Sequence, residues 1–399
     1  MNKLKTIGFS FVLMTVVLLQ ACTKDNDLST QKTDLKVTIE NPTDLEAVEI
    51  KSGTISFTEI NSGNITTSND FTNNELVISL PEGSYDISFE GEIEYQLDGQ
   101  TQTSTVRGYQ TGLVLSGPTA IATVELFLHS ETAGFVIKEI FFTGTGSFEG
   151  KTYHGDKYFI IYNNSDEVLY ADGLVIAEST FNTTSKTQYT PDVMNEAFTT
   201  GTIVMIPGEG EEYPIQPGES FTVANNAINH LELNPNSLDL TSAEFELEML
   251  TTINADNPQV EDLINIFGPM TMHDRGHKSY VLARFETSTE EFLANNKYTY
   301  EYLSNSGIPM DRDAYKLPND WVIDAVNLSV QTTFEWLVTS PSLDMGWTYC
   351  AVVNSDDDRY GKSVIRRVLT TTPDGREILK DTNNSTEDFE AGVKPSLMN

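Results

Sequence analysis

The sequence predicts an all-β protein of two Ig-like β-sandwich domains, the second enlarged by insertions that contain short helices. Three observations carry that expectation. Short runs rich in β-branched and aromatic residues recur from residue 35 onward. Turn residues separate them at the spacing of short antiparallel strands packed in a sandwich. After a polar N-terminal stretch, about 365 residues remain, enough for two domains with substantial cores.

The chain divides before that body begins. Residues 1–22 read MNKLKTIGFSFVLMTVVLLQAC, with Lys3 and Lys5 ahead of an apolar run from Ile7 to Leu19. That run has signal-peptide length and is shorter than the roughly 20 residues that span a bilayer. Its end, Leu19-Gln20-Ala21-Cys22, resembles the lipobox of bacterial lipoproteins, which implies lipidation of Cys22 and cleavage before it. Several acyl chains on one residue are needed because a buried methylene contributes only about 0.8 kcal/mol. The acidic stretch TKDNDLSTQKTD that follows resembles a Bacteroidetes-type surface-export signal. It implies an outer-membrane protein facing the medium. Residues 23–34 are polar and aperiodic and read as a flexible tether.

Residues 35–130 are expected to form the first sandwich. Its strand signals are LKVTIE, AVEIKSGTISFTEI, ELVISL, SYDISFEGEIEYQL, YQTGLVLS and ATVELFLH. Turns are marked by Asn41-Pro42, Asn61-Ser62-Gly63, Pro81-Glu82-Gly83 and Asp98-Gly99. Leu80, Pro81, Gly83 and Tyr85 resemble the leucine-proline-x-glycine-x-tyrosine corner of the transthyretin-like, carboxypeptidase-regulatory family. The resemblance implies an Ig-like spacer or binding module.

Residues 131–399 carry longer loops and fewer clear hairpins. Tyr162, Asn163, Asn164 and Asp166, then Pro217 and Gly218, then Ser363 and Arg366, and finally Asn384, Asp388 and Phe389 occur in an order that resembles the lamin-tail β-sandwich family. Leu174 replaces that family's usual Trp after Gly173. Stretches near 180–204 and 229–320 stand as insertions, and insertions are where specific function commonly resides. By the same resemblance Phe389 plugs the core, Asp388 and Asn384 satisfy turn amides, and Arg366 pairs with a buried carboxylate. As a whole, the chain resembles a family of Bacteroidetes surface lipoproteins that carry a domain of unknown function.

Composition narrows the partners. The chain holds 24 Lys plus Arg against 59 Asp plus Glu, a net charge of −35. Phosphate backbones repel such a body, which excludes nucleic acid as the natural partner. With Cys22 committed to lipid, Cys350 has no disulfide partner, and its apolar run GWTYCAVV makes it a buried, inert thiol.

Candidate chemistry is sparse. His273 and His277 stand four apart, a metal spacing on a helix, but Gly276 between them favours a loop into the strand KSYVLARF, and no zincin-type Glu is present. Asp356-Asp357-Asp358 lacks the ligand spacing of an EF-hand and reads as a solvated turn. Asp374-Gly375 marks a hairpin. Trp336 and Trp347, in EWLVTSPSLDMGW, read as a short helix and turn beside the core. Tyr298, Tyr300 and Tyr302, at period two in a polar setting, are the candidates for an exposed binding face. There is no G-x-S-x-G elbow, P-loop or dinucleotide fingerprint. The expected function is therefore non-enzymatic and cofactor-free. It is ligand binding or accessory work at the outer membrane, such as capture of an iron or haem complex, cobalamin or a glycan for a TonB-dependent transporter. The alternatives are a structural or adhesive protein binding matrix or glycans, and a hydrolase sited in 229–320.

Overall fold

The computed structural model describes residues 31–42, 46–97, 100–129, 134–146, 151–247, 256–304 and 306–398. The lipobox with Cys22, most of the tether and the Asp98-Gly99 turn lie outside the described residues. What is described is an all-β protein, as the strand signals predict.

The N-terminal domain has seven strands: β1 (Lys32–Glu40), β2 (Glu46–Glu59), β3 (Ile65–Ser68), β4 (Glu75–Pro81), β5 (Gly83–Leu97), β6 (Gln100–Leu115) and β7 (Thr119–His129). They form one sheet in the order β3-β2-β5-β6-β7-β1-β4. β7 joins its halves, pairing antiparallel with Thr105–Tyr109 of β6 and running parallel to β1. The sheet thereby folds over a single core that includes Leu35, Val37, Phe57, Phe89, Val106 and Val124. Tyr85 donates its hydroxyl to the Pro81 carbonyl at 3.0 Å, so the corner seen in the sequence closes as a tyrosine corner. The reading misses β3 and the first half of β6. β3 is exposed along nearly its whole length and so lacks the alternation that marks a half-buried strand, and the polar start of β6 has no apolar residue before Val106.

The second domain is a sandwich of two larger sheets. One, seven-stranded, contains β8 (Phe135–Phe141), β9 (Tyr158–Asn163), β12 (Ser220–Ala224), β13 (Phe245–Glu246), β18 (Ser363–Arg366) and β19 (Phe389–Val393). The other, nine-stranded, contains β10 (Leu174–Ser179), β11 (Ala197–Met205), β14 (Ser279–Arg284), β15 (Lys297–Leu303), β16 (Pro309–Pro318) and β17 (Val322–Ser329). One core draws Ile137, Phe159 and Phe221 from the first sheet and Ile176, Tyr280 and Leu328 from the second.

The outer faces are covered too. Helix α1 (Thr289–Asn295), closed by a Ser288–Glu291 capping box, lays Phe292 over Val175, Phe198 and Leu317. Leu238, Leu240 and Ala243 cover Phe141 and Tyr158 on the other side. The central strands are thus buried on both faces and lose alternation, which hides them in the sequence. The segments read as insertions near 180–204 and 229–320 are built into the sandwich: they supply β11 and β14, which flank β10 in the sheet. Residues 335–347, expected to hold a short helix, form turns and bends around the fully buried Asp344, which accepts from the Asn327, Gly346 and Ser385 amides.

A buried ion pair ties the sheets together. Arg366 of β18 meets Asp324 of β17 at 2.6 Å and Asp381 at 3.0 Å, and donates through Nε to the Ile137 carbonyl. Burial pushes the Asp324 carboxyl up, while the Arg366 guanidinium pulls it back toward the ionised form. Phe389 lies buried under the guanidinium, and Asp388 accepts from the Thr382 and Asn384 amides. Removing one partner strands a buried charge. Arg366→Met is expected to destabilise the full chain by about 3–5 kcal/mol in urea denaturation. Adding Asp324→Leu to it should recover much of that loss.

Candidate functional site

The histidines collect at one end of the second sandwich. Four of the five in the chain lie in loops there: His154 before β9, His230 in the short turn between β12 and β13, and His273 and His277 before β14. The HDRGH segment forms a turn and not a helix, because Gly276 adopts φ +73° and donates its N–H to the His273 carbonyl at 2.8 Å. A Cβ there would come within 2.8 Å of the Phe142 ring, so glycine is required.

The turn stacks the two imidazoles, with ring centres 4.3 Å apart and planes inclined by 19°. His277 Nε2 lies 2.7 Å from Asn354 Oδ1, which assigns the proton to Nε2 and leaves a lone pair on Nδ1. His273 Nδ1 accepts from the Arg275 amide. The His273 lone pair is committed to the Arg275 amide and the intervening Asp274 to Arg359 at 2.8 Å, which leaves His277 Nδ1 as the available ring nitrogen of the pair. The pair therefore offers a single nitrogen donor and does not form a multidentate cage.

Charged side chains hold this turn in place. Lys157, 3% exposed, donates to the Met272 carbonyl at 2.7 Å, and burial lowers its pKa to about 8. Arg359, 1% exposed, donates to Asp274, to the Asp356 carbonyl and to the Tyr360 hydroxyl, and stacks against the Tyr360 ring. Asp356 caps the short turn through the Asp358 amide, so the acidic triplet is a turn. Its fourth residue, Arg359, gives no sequence signal beyond a basic residue after three acids. His230 is occupied on both ring nitrogens, accepting from Tyr153 and donating to the Asn226 carbonyl. Val352 and Val353, in the segment that leads to the His277 partner Asn354, are exposed at 48% and 43%.

The tyrosines behave differently from the expectation. Tyr298, Tyr300 and Tyr302 do share one face of β15, as period two requires, but that face packs against Phe181, Tyr189 and Trp336. Tyr300 is 3% exposed, so the ladder is a satellite core and not an open platform. Trp336 joins it and donates to the Asn182 carbonyl, whereas Trp347 stacks on Phe334 at 4.6 Å. Trp321 covers Phe292. Cys350 is buried and its thiol pKa is pushed up. A group missed in the sequence, Glu246, Asp256 and Asp262, brings its carboxylate oxygens within 4.8 Å of one another, and there Glu246 accepts from the Ala227 and Asn257 amides.

Burial and its neighbour hold His273 neutral, with a pKa lowered to about 4, and burial also lowers His277. The unfolded chain takes up these protons near pH 6.5, earlier than the folded one. The stability tied to the neutral pair is therefore complete above about pH 6.5 and lost as pH falls toward 4. His273→Gln should flatten the decline of the denaturation midpoint across that window relative to the parent chain.

Residues 216–396 match the model of a family described as a protein of unknown function, DUF4876. The chain is also similar to a solved structure, that of a DUF4876 family protein from Bacteroides thetaiotaomicron VPI-5482. The two are 24% identical with a TM-score of 0.56, over 91% of this chain and 96% of that one, which shows a shared fold. The major pilin from Streptococcus pyogenes aligns at 9% identity over 72% of this chain and 94% of that one, with a TM-score of 0.12 that carries no structural argument. No curated protein matches the sequence. Among the described residues, no helix is long and apolar enough to cross a membrane.

Proposed function

We propose that this chain is a lipid-anchored surface protein that binds a ligand without transforming it, and that it captures a metal-containing nutrient for a TonB-dependent outer-membrane transporter. The observation that carries the reading is the stacked His273–His277 pair, bonded through Asn354 to the segment that exposes Val352 and Val353. An imidazole with a free ring nitrogen next to exposed aliphatic surface suits a metal held in a partly apolar organic chelate. A haem or an iron complex presents both a coordination position and a hydrophobic periphery; a bare cation would use only the nitrogen. The lipobox-like segment ending at Cys22 supports the anchor, and the chain's acidity suits a body standing off an anionic surface.

Two measurements test it. Haemin, cobalamin and a ferric catecholate are titrated into the full chain by absorbance and fluorescence. One of them is expected to bind saturably, and His277→Ala to weaken it by at least about tenfold, the loss of one coordinating or charge-assisted contact. Affinity capture from native outer membranes is expected to recover a transporter. A chain that binds none of the three and returns without a transporter is not a capture protein, and altered attachment of a deletion strain with normal nutrient-limited growth would then mark it as an adhesin.

A further inference from the structure

The N-terminal domain carries a concave surface, independent of the histidines. A cleft of about 710 Å³ opens beside the paired strands β2 and β5, with Ser52, Thr54, Asn69, Phe71, Glu90 and Glu92 on its walls. Gly53 and Gly91 face each other across the two strands and also line it. A Cβ on Gly91 would lie 2.2 Å from the Ser52 carbonyl oxygen, and one on Gly53 would lie 2.3 Å from the Phe89 ring, so this part of the wall can only be bare backbone. Phe71 is held edge-on by Phe89 at 5.7 Å and remains partly open.

The placement of Arg107 is hard to explain by stability. It is 3% exposed, and its Nε and Nη1 have no hydrogen-bond partner. Its ion pair is with Glu90, Nη2 to Oε1 at 3.1 Å, and that glutamate is 62% exposed. Burying a guanidinium with unpaired N–H groups is unfavourable, and an exposed carboxylate returns little. What the arrangement does achieve is to fix Glu90 on the cleft wall with one oxygen engaged and the other available.

We propose that this cleft binds a neutral oligosaccharide. Glu90 has its charge answered by Arg107, and Lys51 is bridged to Glu49 and Glu94, so the walls do not call for a cation. Glu92 repels anions. The groups that remain are carboxylate oxygens that accept from hydroxyls, the hydroxyls of Ser52 and Thr54 and the amide of Asn69 that both donate and accept, and a ring for the apolar face of a sugar. The cleft is open, which fits a chain passing through it.

Maltoheptaose, cellohexaose and mannohexaose serve as neutral probes, with trigalacturonate and spermidine as charged ones, in calorimetric titrations of the full chain. At least one neutral probe is expected to bind saturably. Glu90→Gln and Phe71→Ala should each weaken it by about tenfold at a temperature where circular dichroism shows both variants folded. Arg107→Met should weaken it to a similar extent, and His277→Ala should have no effect, which separates this site from the proposed chelate site. Failure of all three neutral probes at millimolar concentration would overturn the proposal. So would binding of a charged probe alone, or binding indifferent to both Glu90→Gln and Phe71→Ala.

Discussion

The second domain depends on one buried contact, the pairing of Arg366 with Asp324 across the two sheets. Hydrophobic burial presses sheets together without choosing their register, whereas a guanidinium answered by fixed carboxylates admits one arrangement. Arg366 spends its hydrogen bonds on the Ile137 carbonyl, the Lys380 carbonyl, Asp381 and Asp324, and Asp324 accepts in turn from the Ile137 amide. Strand β8, the opposite sheet and the closing segment are thus specified together. The central strands around this contact, enclosed on both faces by α1 and by the Leu238–Leu240 cover, form the rigid support on which the histidine-bearing turns stand.

Legibility of the sequence followed the physics of each segment. The Leu80–Tyr85 corner and the Asn384–Phe389 closure were readable because turn chemistry and a buried aromatic leave fixed spacings. The loop character of His273–His277 was readable from Gly276 alone. Strand β14 is legible in KSYVLARF, whereas β11 reads as part of an insertion because two-sided burial erases alternation. Tyr298, Tyr300 and Tyr302 show the limit of periodicity: period two states that side chains share a face and is silent on which face is covered. Nothing local predicts that Phe181 and Trp336 arrive from elsewhere to cover it. Lys157, Arg359 and Arg107 were invisible for the same reason, since long cationic residues are surface residues by default and their burial is decided by distant partners.

The two candidate sites use the scarce residues of an acidic chain in different ways. At the histidine end, cations are internal struts: Lys157 and Arg359 tie down backbone carbonyls and Asp274, which holds the His273–His277 turn in place. In the N-terminal cleft a cation fixes an acid, so that Glu90 becomes a positioned acceptor and not one more solvated charge. In each case the charge that matters is the one removed from solvent, where a low dielectric makes geometry count.

Strand β8 opens the second domain, yet its buried Glu139 is completed by Ser396, 257 positions further on, together with Tyr158. Contacts of that span cannot form while the chain is still emerging, whereas the hairpin of β5 and β6 in the first domain needs only neighbours in sequence. The two domains therefore mature on different clocks during synthesis. A chain cut short of Ser396 keeps a finished first domain and an open second one whose buried Glu139 is answered by Tyr158 without Ser396, a difference that proteases can read as a mark of incompleteness.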